Sequence, residues 1–331
     1  MFKEEENNVK IGKNGDKNTD LNSLAKDNKS ELHEKIAHKE KTIVAWIAIL
    51  FSSSIALILW REFGPGEPFW WPWVSAISLI VISILTFIRI SLKPLRVFMI
   101  ILILIFFLGF GGGWQWGLIP FIRDSQTWTN WLSSLPWALS AIMTHLLRLL
   151  PAIVILTFLL IIGRKRRDFF LVKGNIHAFV EPSKLIGMKK PEPWTRIGSI
   201  FALIFCIGTL LFLILTKFPS ISDFIQVLPL IPVAVLIAAI NAFNEEFTLR
   251  AAPLSELSTT IGKQQALLIT TIYFGIGHFY GVPNGLLGVL LSAFLGWFLG
   301  KSLLETKGFF WAWFIHFLPD VIIFTFYAMF P

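Results

Sequence analysis

Long apolar runs separated by short polar segments make up most of the chain after residue 42. A helix needs about 20 consecutive apolar residues to cross the hydrocarbon layer of a membrane. By that measure the pattern predicts about nine transmembrane helices, near residues 43–60, 70–90, 96–121, 137–163, 197–216, 228–252, 265–281, 285–304 and 308–329. The predicted fold class is therefore all-α, a polytopic helical membrane protein.

The composition supports this fold class. The chain of 331 residues is 55% hydrophobic and only 15% charged, whereas soluble domains carry roughly 25% charged residues. These values exclude a water-soluble enzyme. The single cysteine, Cys206, excludes an intrachain disulfide framework and a metal site built from several cysteines.

Changes in polarity divide the chain into four parts. Residues 1–41 are rich in Asn, Lys, Glu and Asp and show almost no apolar periodicity, so we expect a mostly disordered cytoplasmic tail with a helix near residues 32–41. The N-terminal transmembrane helices occupy residues 42–163. Residues 164–196 form a cytoplasmic loop that contains several prolines and glycines, and residues 197–331 hold the C-terminal transmembrane helices.

Positive charge is concentrated in alternate loops. The formal net charge is +8, but the first 41 residues hold nine Lys and nine Asp or Glu, so the excess lies in the membrane part. Lys and Arg collect on the cytoplasmic side of membrane proteins, which predicts a cytoplasmic N-terminus. These basic residues lie in short loops between apolar runs, so the expected partner is the lipid bilayer and not a nucleic acid.

Two adjacent carboxylates, Glu245 and Glu246, end the predicted sixth helix, and Arg250 follows. Side chains at positions i and i+4 share one face of a helix, so Glu246 is expected to pair with Arg250 and to stay ionised. Glu245 is rotated by about 100° from its neighbour. It can therefore face a less hydrated environment, which suits a general base. The alternative is an interfacial helix end with ordinary charges.

Other ionisable residues lie within the seventh and ninth apolar runs. His278 comes one turn after Phe274, and His316 and Asp320 lie one turn apart. Charge inside a membrane costs about 3 kcal/mol or more, so such residues usually face a cavity or a partner. With Glu245 they could activate water for amide hydrolysis and hold an oxyanion. A divalent metal such as zinc, bound by Glu245, His278 and His316, is the alternative chemistry, and a packed histidine is the alternative at His278.

The remaining polar residues in the predicted helices are weaker candidates for a functional site. His145 and Arg148 lie three residues apart on one face of the fourth predicted helix and could line a cavity. Contact with a neighbouring helix is the favoured interpretation for both. Cys206 lies in an apolar run with no base nearby in the sequence, so it is expected to pack.

Three sequence motifs are similar to those of one known family. EEFTLR (245–250), FGIGH (274–278) and HFLPD (316–320) resemble the motifs of the CAAX-protease and bacteriocin-processing family, also called CPBP or Abi. The resemblance covers about residues 228–325. It implies an intramembrane endopeptidase, of glutamic or metallo type, in a prokaryotic cell membrane. The implied substrate is a membrane-associated or lipidated peptide or protein.

The same resemblance implies a role for each motif residue. Glu245 would activate the water with the help of His278. His316 and Asp320 would hold the tetrahedral oxyanion or position the water. The supporting residues would be Glu246, Arg250 and Phe274. We favour water activated by glutamate without a metal, because the sequence offers no obvious third neutral ligand.

Two other functions stay open at this point. The chain could be a non-catalytic immunity or scaffold protein that keeps the CPBP fold, or a small transporter that relays protons through Glu and His. A shared water needs both groups within roughly one water-bridged hydrogen-bond distance, so a Glu245 carboxylate more than about 10 Å from the His278 ring, far beyond that reach, would contradict the protease interpretation. His278 lies deeper along its helix than His316 does, so the seventh helix is expected to begin near Ile261, beyond the lipid boundary.

Overall fold

The structure, a computed structural model, describes residues 14–109 and 116–330. Over these residues the chain folds into α-helices with a two-stranded hairpin, which confirms the predicted fold class. The helices are α1 (Asn14–Ser52), α2 (Ile55–Phe63), α3 (Trp71–Ile88), α4 (Arg96–Leu108), α5 (Leu118–Arg123), α6 (Gln126–Ser133), α7 (Trp137–Arg148), α8 (Leu150–Ile161), α9 (Trp194–Lys217), α10 (Ile221–Val227), α11 (Ile231–Glu245), α12 (Ala252–Thr260), α13 (Lys263–Ile276), α14 (Gly285–Thr306) and α15 (Phe310–Met329). A π-helical segment, Glu246–Ala251, joins α11 to α12.

The membrane spans are fewer than the apolar runs predict. Within the described residues, seven helical stretches are long and apolar enough to cross a membrane, or eight if α1 and α2, bent by 53°, count as one span. The seven are α3, Ile90–Leu108, α7 with α8, α9, Ile221–Thr260, α14 and α15. The predicted span at 265–281 is α13, which has 14 residues and a length of about 21 Å at 1.5 Å per residue. This run is too short because α13 begins with the polar residues Lys263–Gln265 and ends before the turn at His278.

Two segments differ from the sequence prediction. Helix α1 begins at Asn14, so residues 14–31 are helical where a disordered tail was expected, and residues 32–41 are helical as expected; residues 1–13 lie outside the described part. Glu31 and Lys35 form an ion pair one turn apart on this polar helix, which is the spacing that favours helix. The run predicted at 96–121 ends at Leu108, and residues 110–115 are not described. The division of the chain into four parts stays a prediction.

The C-terminal helices pack around α15. Helices α9, α11 and α14 all contact α15, and α13 lies along α14. The N-terminal part joins them through α4 against α12 and α1 against α13. Fully buried residues such as Ile101, Leu254 and Ile269 belong to one hydrophobic core that includes both parts. The motif-bearing helices are therefore held from several sides, as a rigid site requires.

Helix α13 begins further from the site than α15 does. From Lys263 to Ile276 the helix rises about 20 Å, whereas from Phe310 to His316 the rise is about 9 Å. Both helices nevertheless deliver a histidine to Glu245. For helices aligned in one direction, α13 must start about 10 Å beyond the level of Phe310. Its first residue, Lys263, lies two positions from the expected start near Ile261.

The long loop between α8 and α9 packs against the turn that starts α15. It contains a hairpin of β1 (Phe179–Val180) and β2 (Glu192–Pro193), which pair antiparallel. Backbone hydrogen bonds from Asn175 to Thr306 (2.8 Å) and from Phe309 to Val172 (2.7 Å) join the loop to the turn. Gly174 and Gly308 meet so closely that a Cβ on Gly308 would lie 2.3 Å from the Gly174 Cα. These contacts fix the start of the helix that carries His316.

Candidate active site

The first motif lies where the α11 helix changes to π-helical geometry. Glu245 is the last residue of α11 and Glu246 is the first residue of the π segment. Single π turns inside α-helices frequently occur at functional sites, because the wider turn redirects side chains. Glu246 and Arg250 are both fully buried, and the Arg250 Nη1 contacts the Glu246 Oε1. The expected ion pair between these two residues is therefore present.

Space for Arg250 comes from glycines on α14. The guanidinium carbon lies 4.2 Å from the centre of the Phe274 ring, a cation–π arrangement. A Cβ on Gly296 would lie 3.1 Å both from Arg250 Nη2 and from the Phe274 ring, and one on Gly300 would lie 3.6 Å from Arg250 Cδ. Gly296 and Gly300 thus form a slot that holds the arginine between α14 and Phe274.

The Glu245 carboxylate is surrounded by polar groups from α7, α11, α15 and the turn after α13. It is 8% exposed, and its Oε1 accepts hydrogen bonds from Arg148 Nη2 at 3.4 Å and from Asn241 Nδ2 at 3.2 Å. Its Oε2 faces His278 Nε2 at 3.8 Å and His316 Nε2 at 3.7 Å. One oxygen is therefore held in place while the other points toward the two imidazoles.

His278 presents one nitrogen to the site. Its Nδ1 lies 2.8 Å from the carbonyl oxygen of Phe274, and a carbonyl only accepts, so Nδ1 carries the proton and donates. Nε2 then faces Glu245 Oε2. The His278 side chain is 30% exposed whereas that of Glu245 is 10% exposed, so the site is most accessible beside His278. The distance between the two side chains is well inside the 10 Å that the sequence argument requires.

His316 is surrounded by carboxylates. Its Nδ1 lies 2.7 Å from Glu246 Oε1 and donates to it, because a carboxylate paired with Arg250 is an acceptor. Its Nε2 lies 3.7 Å from both Glu245 Oε2 and Asp320 Oδ2. Acceptors thus face both nitrogens, so the ring can donate from Nε2 as well as from Nδ1.

The structure brings together all the motif residues from the sequence and adds two residues that the motifs do not contain. Asn241, one turn before Glu245 and 6% exposed, donates through Nδ2 to Asp320 Oδ2 at 2.9 Å as well as to Glu245. Arg148, for which contact with a helix neighbour was favoured, reaches Glu245 from the end of α7. His145 stays outside this group. Its ring packs edge-on against Phe324 at 4.8 Å.

The residues do not form a group that fits a metal. In the part of the chain that the structure describes, no three His, Cys, Asp or Glu side chains are arranged to hold a metal ion. We therefore derive no step through a metal.

The fold and the site define a class of protein: a polytopic helical membrane protein with a buried carboxylate–imidazole site. Residues 226–322 match the model of the family described as Rce1-like, type II CAAX prenyl endopeptidase. The match includes all three motifs and confirms the family resemblance over this part of the chain. It supports a CAAX-type intramembrane protease. Comparison with curated proteins and with solved structures finds no match.

Proposed function

We propose that the protein is an intramembrane endopeptidase that hydrolyses a peptide bond in a membrane-associated or lipidated peptide by water that Glu245 activates. The observation that carries the proposal is the convergence of Glu245 Oε2 with the Nε2 atoms of His278 and His316, at 3.8 and 3.7 Å. These separations exceed a direct hydrogen bond. They leave one water within reach of the carboxylate and an imidazole, as general-base catalysis needs.

The proposed reaction begins with proton transfer from water to Glu245 Oε2. The resulting hydroxide adds to the carbonyl carbon of the scissile peptide bond, and the carbonyl oxygen becomes an oxyanion. An N–H at His316 Nε2 donates to this oxyanion, and Asp320, which faces the same nitrogen, helps to orient the ring. The tetrahedral intermediate then breaks its C–N bond, and the proton on Glu245 moves to the leaving amine, directly or through His278.

The surrounding residues keep these groups in position. Glu246 accepts from His316 Nδ1, and Arg250 balances the charge of Glu246. Arg148 and Asn241 fix the Oε1 of Glu245, so that Oε2 is the oxygen free to take the proton. A base must lie within one hydrogen bond or one bridging water of its proton, and these contacts restrict Glu245 to that geometry.

The test is cleavage of membrane-anchored and lipidated peptides by the purified protein in liposomes. We expect Glu245→Ala and His278→Ala to abolish cleavage. Glu256→Gln is the matched control, because Glu256 is a buried glutamate of the same helical stretch that pairs with Arg164 at 2.7 Å, outside the site. Cleavage that survives a chelator supports glutamate-activated water, and loss that zinc restores supports a metal.

Three results would count against the proposal. Cleavage unchanged by Glu245→Ala would show that Glu245 is not the base. Biological activity of the protein in cells that survives Glu245→Ala would support the non-catalytic immunity or scaffold role, and proton-coupled uptake by vesicles would support a transporter.

A further inference from the structure

Asn241 lies between Glu245 of α11 and Asp320 of α15, two acidic residues of the site. It is on α11, and its single amide nitrogen donates to Glu245 Oε1 at 3.2 Å and to Asp320 Oδ2 at 2.9 Å. An asparagine amide carries two N–H donors, so both are used by carboxylates. The side chain is 6% exposed, and both carboxylate residues are as deeply buried. The residue thus links α11 to α15 at the level of the proposed chemistry.

The two hydrogen bonds from Asn241 offset a repulsion between carboxylates in this site. Glu245, Glu246 and Asp320 all face His316, and like charges in a poorly hydrated site repel. Glu246 has Arg250 as its partner. Glu245 and Asp320 share the Asn241 amide, which supplies hydrogen bonds to both without adding charge. Glu245 Oε1 also accepts from Arg148 at 3.4 Å, and the Asn241 amide adds a neutral donor to each of two buried carboxylates, which are costly to leave unpaired.

Asp320 accepts a hydrogen bond from the Asn241 amide. The neutral amide donor of this site therefore comes from α11. Asp320 Oδ2 is used as an acceptor, so Asp320 acts in this geometry as the fixed partner of Asn241 and of His316. The Asn241 amide therefore sets where Glu245 lies relative to α15. A displacement of about 1 Å at a reacting group can cost on the order of 10²-fold in rate.

We propose that Asn241 is a positioning residue of the hydrolytic site, which holds the Glu245 carboxylate at a fixed distance from α15 by donating to Glu245 and Asp320 together. This inference rests on the proposed function of the site. It adds a residue outside the three motifs and assigns Asp320 the role of its acceptor.

The first test is a thermodynamic cycle that needs no substrate. Unfolding of the full-length protein in detergent is measured for Asn241→Ala, Asp320→Ala and the double variant. We expect the double variant to be less destabilised than the sum of the single variants, because residues that share a buried hydrogen bond couple. Additive effects would overturn the proposal, whatever the activity of the protein.

The second test separates position from folding. We expect Asn241→Ala to lower kcat for peptide cleavage by about 10²-fold with KM changed less than about threefold. The matched control is Ser302→Ala, since Ser302 is a buried polar residue whose hydroxyl donates to the Leu299 carbonyl of its own helix at 2.7 Å. Its kcat is expected to stay within about threefold of wild type. Unchanged kcat in Asn241→Ala would overturn the positioning role.

An exchange of the two side chains completes the test. The double variant Asn241→Asp with Asp320→Asn keeps an amide–carboxylate bond between the helices but takes the donor away from Glu245. We expect it to recover stability relative to Asn241→Asp alone while kcat stays low. Full recovery of kcat would show that catalysis depends on the hydrogen bond between α11 and α15 and not on the hydrogen bond to Glu245. Cleavage that survives Glu245→Ala would instead contradict the proposed function and leave the coupling measurement intact.

Discussion

The buried ion pair between Glu246 and Arg250 provides the sharpest quantitative prediction. Both side chains are 0% exposed, and Glu246 also accepts from His316 at 2.7 Å. Replacing Arg250 by Met keeps most of the apolar volume but leaves the Glu246 charge without its cation. Breaking a buried pair in this way costs about 3–5 kcal/mol, because a buried charge is left uncompensated. Loss of the contact with the Phe274 ring adds about 0.5–2 kcal/mol.

The assay is reversible unfolding in mixed micelles, followed by the fluorescence of the 14 tryptophans. Lys35→Met is the matched control, because Lys35 pairs with Glu31 at the same i,i+4 spacing while the two side chains are 71% and 62% exposed. Exposed pairs of this kind contribute at most about 1 kcal/mol. We therefore expect Arg250→Met to reduce the free energy of unfolding several times more than Lys35→Met.

A double variant separates charge from packing. Glu246→Gln together with Arg250→Met removes both charges, and we expect it to recover a large part of the stability that Arg250→Met loses, since replacement of a whole buried pair is often nearly neutral. An effect of Arg250→Met no larger than that of Lys35→Met would refute the burial argument. A double variant as unstable as the sum of its parts would refute the role of charge.

The remaining predictions concern a loop contact and a surface carboxyl. Gly308→Ala is expected to destabilise the protein by about 1–3 kcal/mol, because the new Cβ would clash with the Gly174 backbone. Gly208→Ala is the control in the same unfolding assay, since a Cβ at Gly208 meets nothing within 4 Å. Hydrogen bonds from the Arg123 guanidinium lower the pKa of Asp124, so the stabilising effect of this pair is present at neutral pH and fades as the pH falls through that pKa. Arg123→Gln should raise the pKa of Asp124 toward its ordinary value in an NMR titration, and an unchanged titration would contradict the contact.

Apolar runs were sufficient to predict the helical membrane fold, but not the number of spans. The run at 265–281 reads as a span because of its apolar residues, yet α13 is a helix of only 14 residues. Hydropathy measures how apolar a segment is and carries no information on how deep it lies. The comparison of helix depths for His278 and His316 predicts a seventh helix that begins near Ile261, and α13 begins at Lys263.

Within the site, the sequence indicated the groups that are unusual for a membrane. Carboxylates and imidazoles in apolar helices are costly, so Glu245, His278 and His316 could be found by residue type alone. Asn241 is neutral and could equally have been a packing residue. Arg148 comes from α7, 97 positions before Glu245, and no local spacing relates the two. Their roles became visible only when the helices were placed in space.

The π-helical segment Glu246–Ala251 has a consequence for helical phase. A turn closed by i→i+5 bonds contains about one residue more than an α turn, so the segment acts as a one-residue insertion between α11 and α12. The faces that α11 and α12 present are therefore offset by about 100° from those of an uninterrupted α-helix. A single-residue deletion in this segment would restore ordinary periodicity, yet it would rotate α12 away from α4 and α13 and separate the buried arginine from its slot. An uninterrupted α-helix at this point of the chain is therefore incompatible with the arrangement of the site.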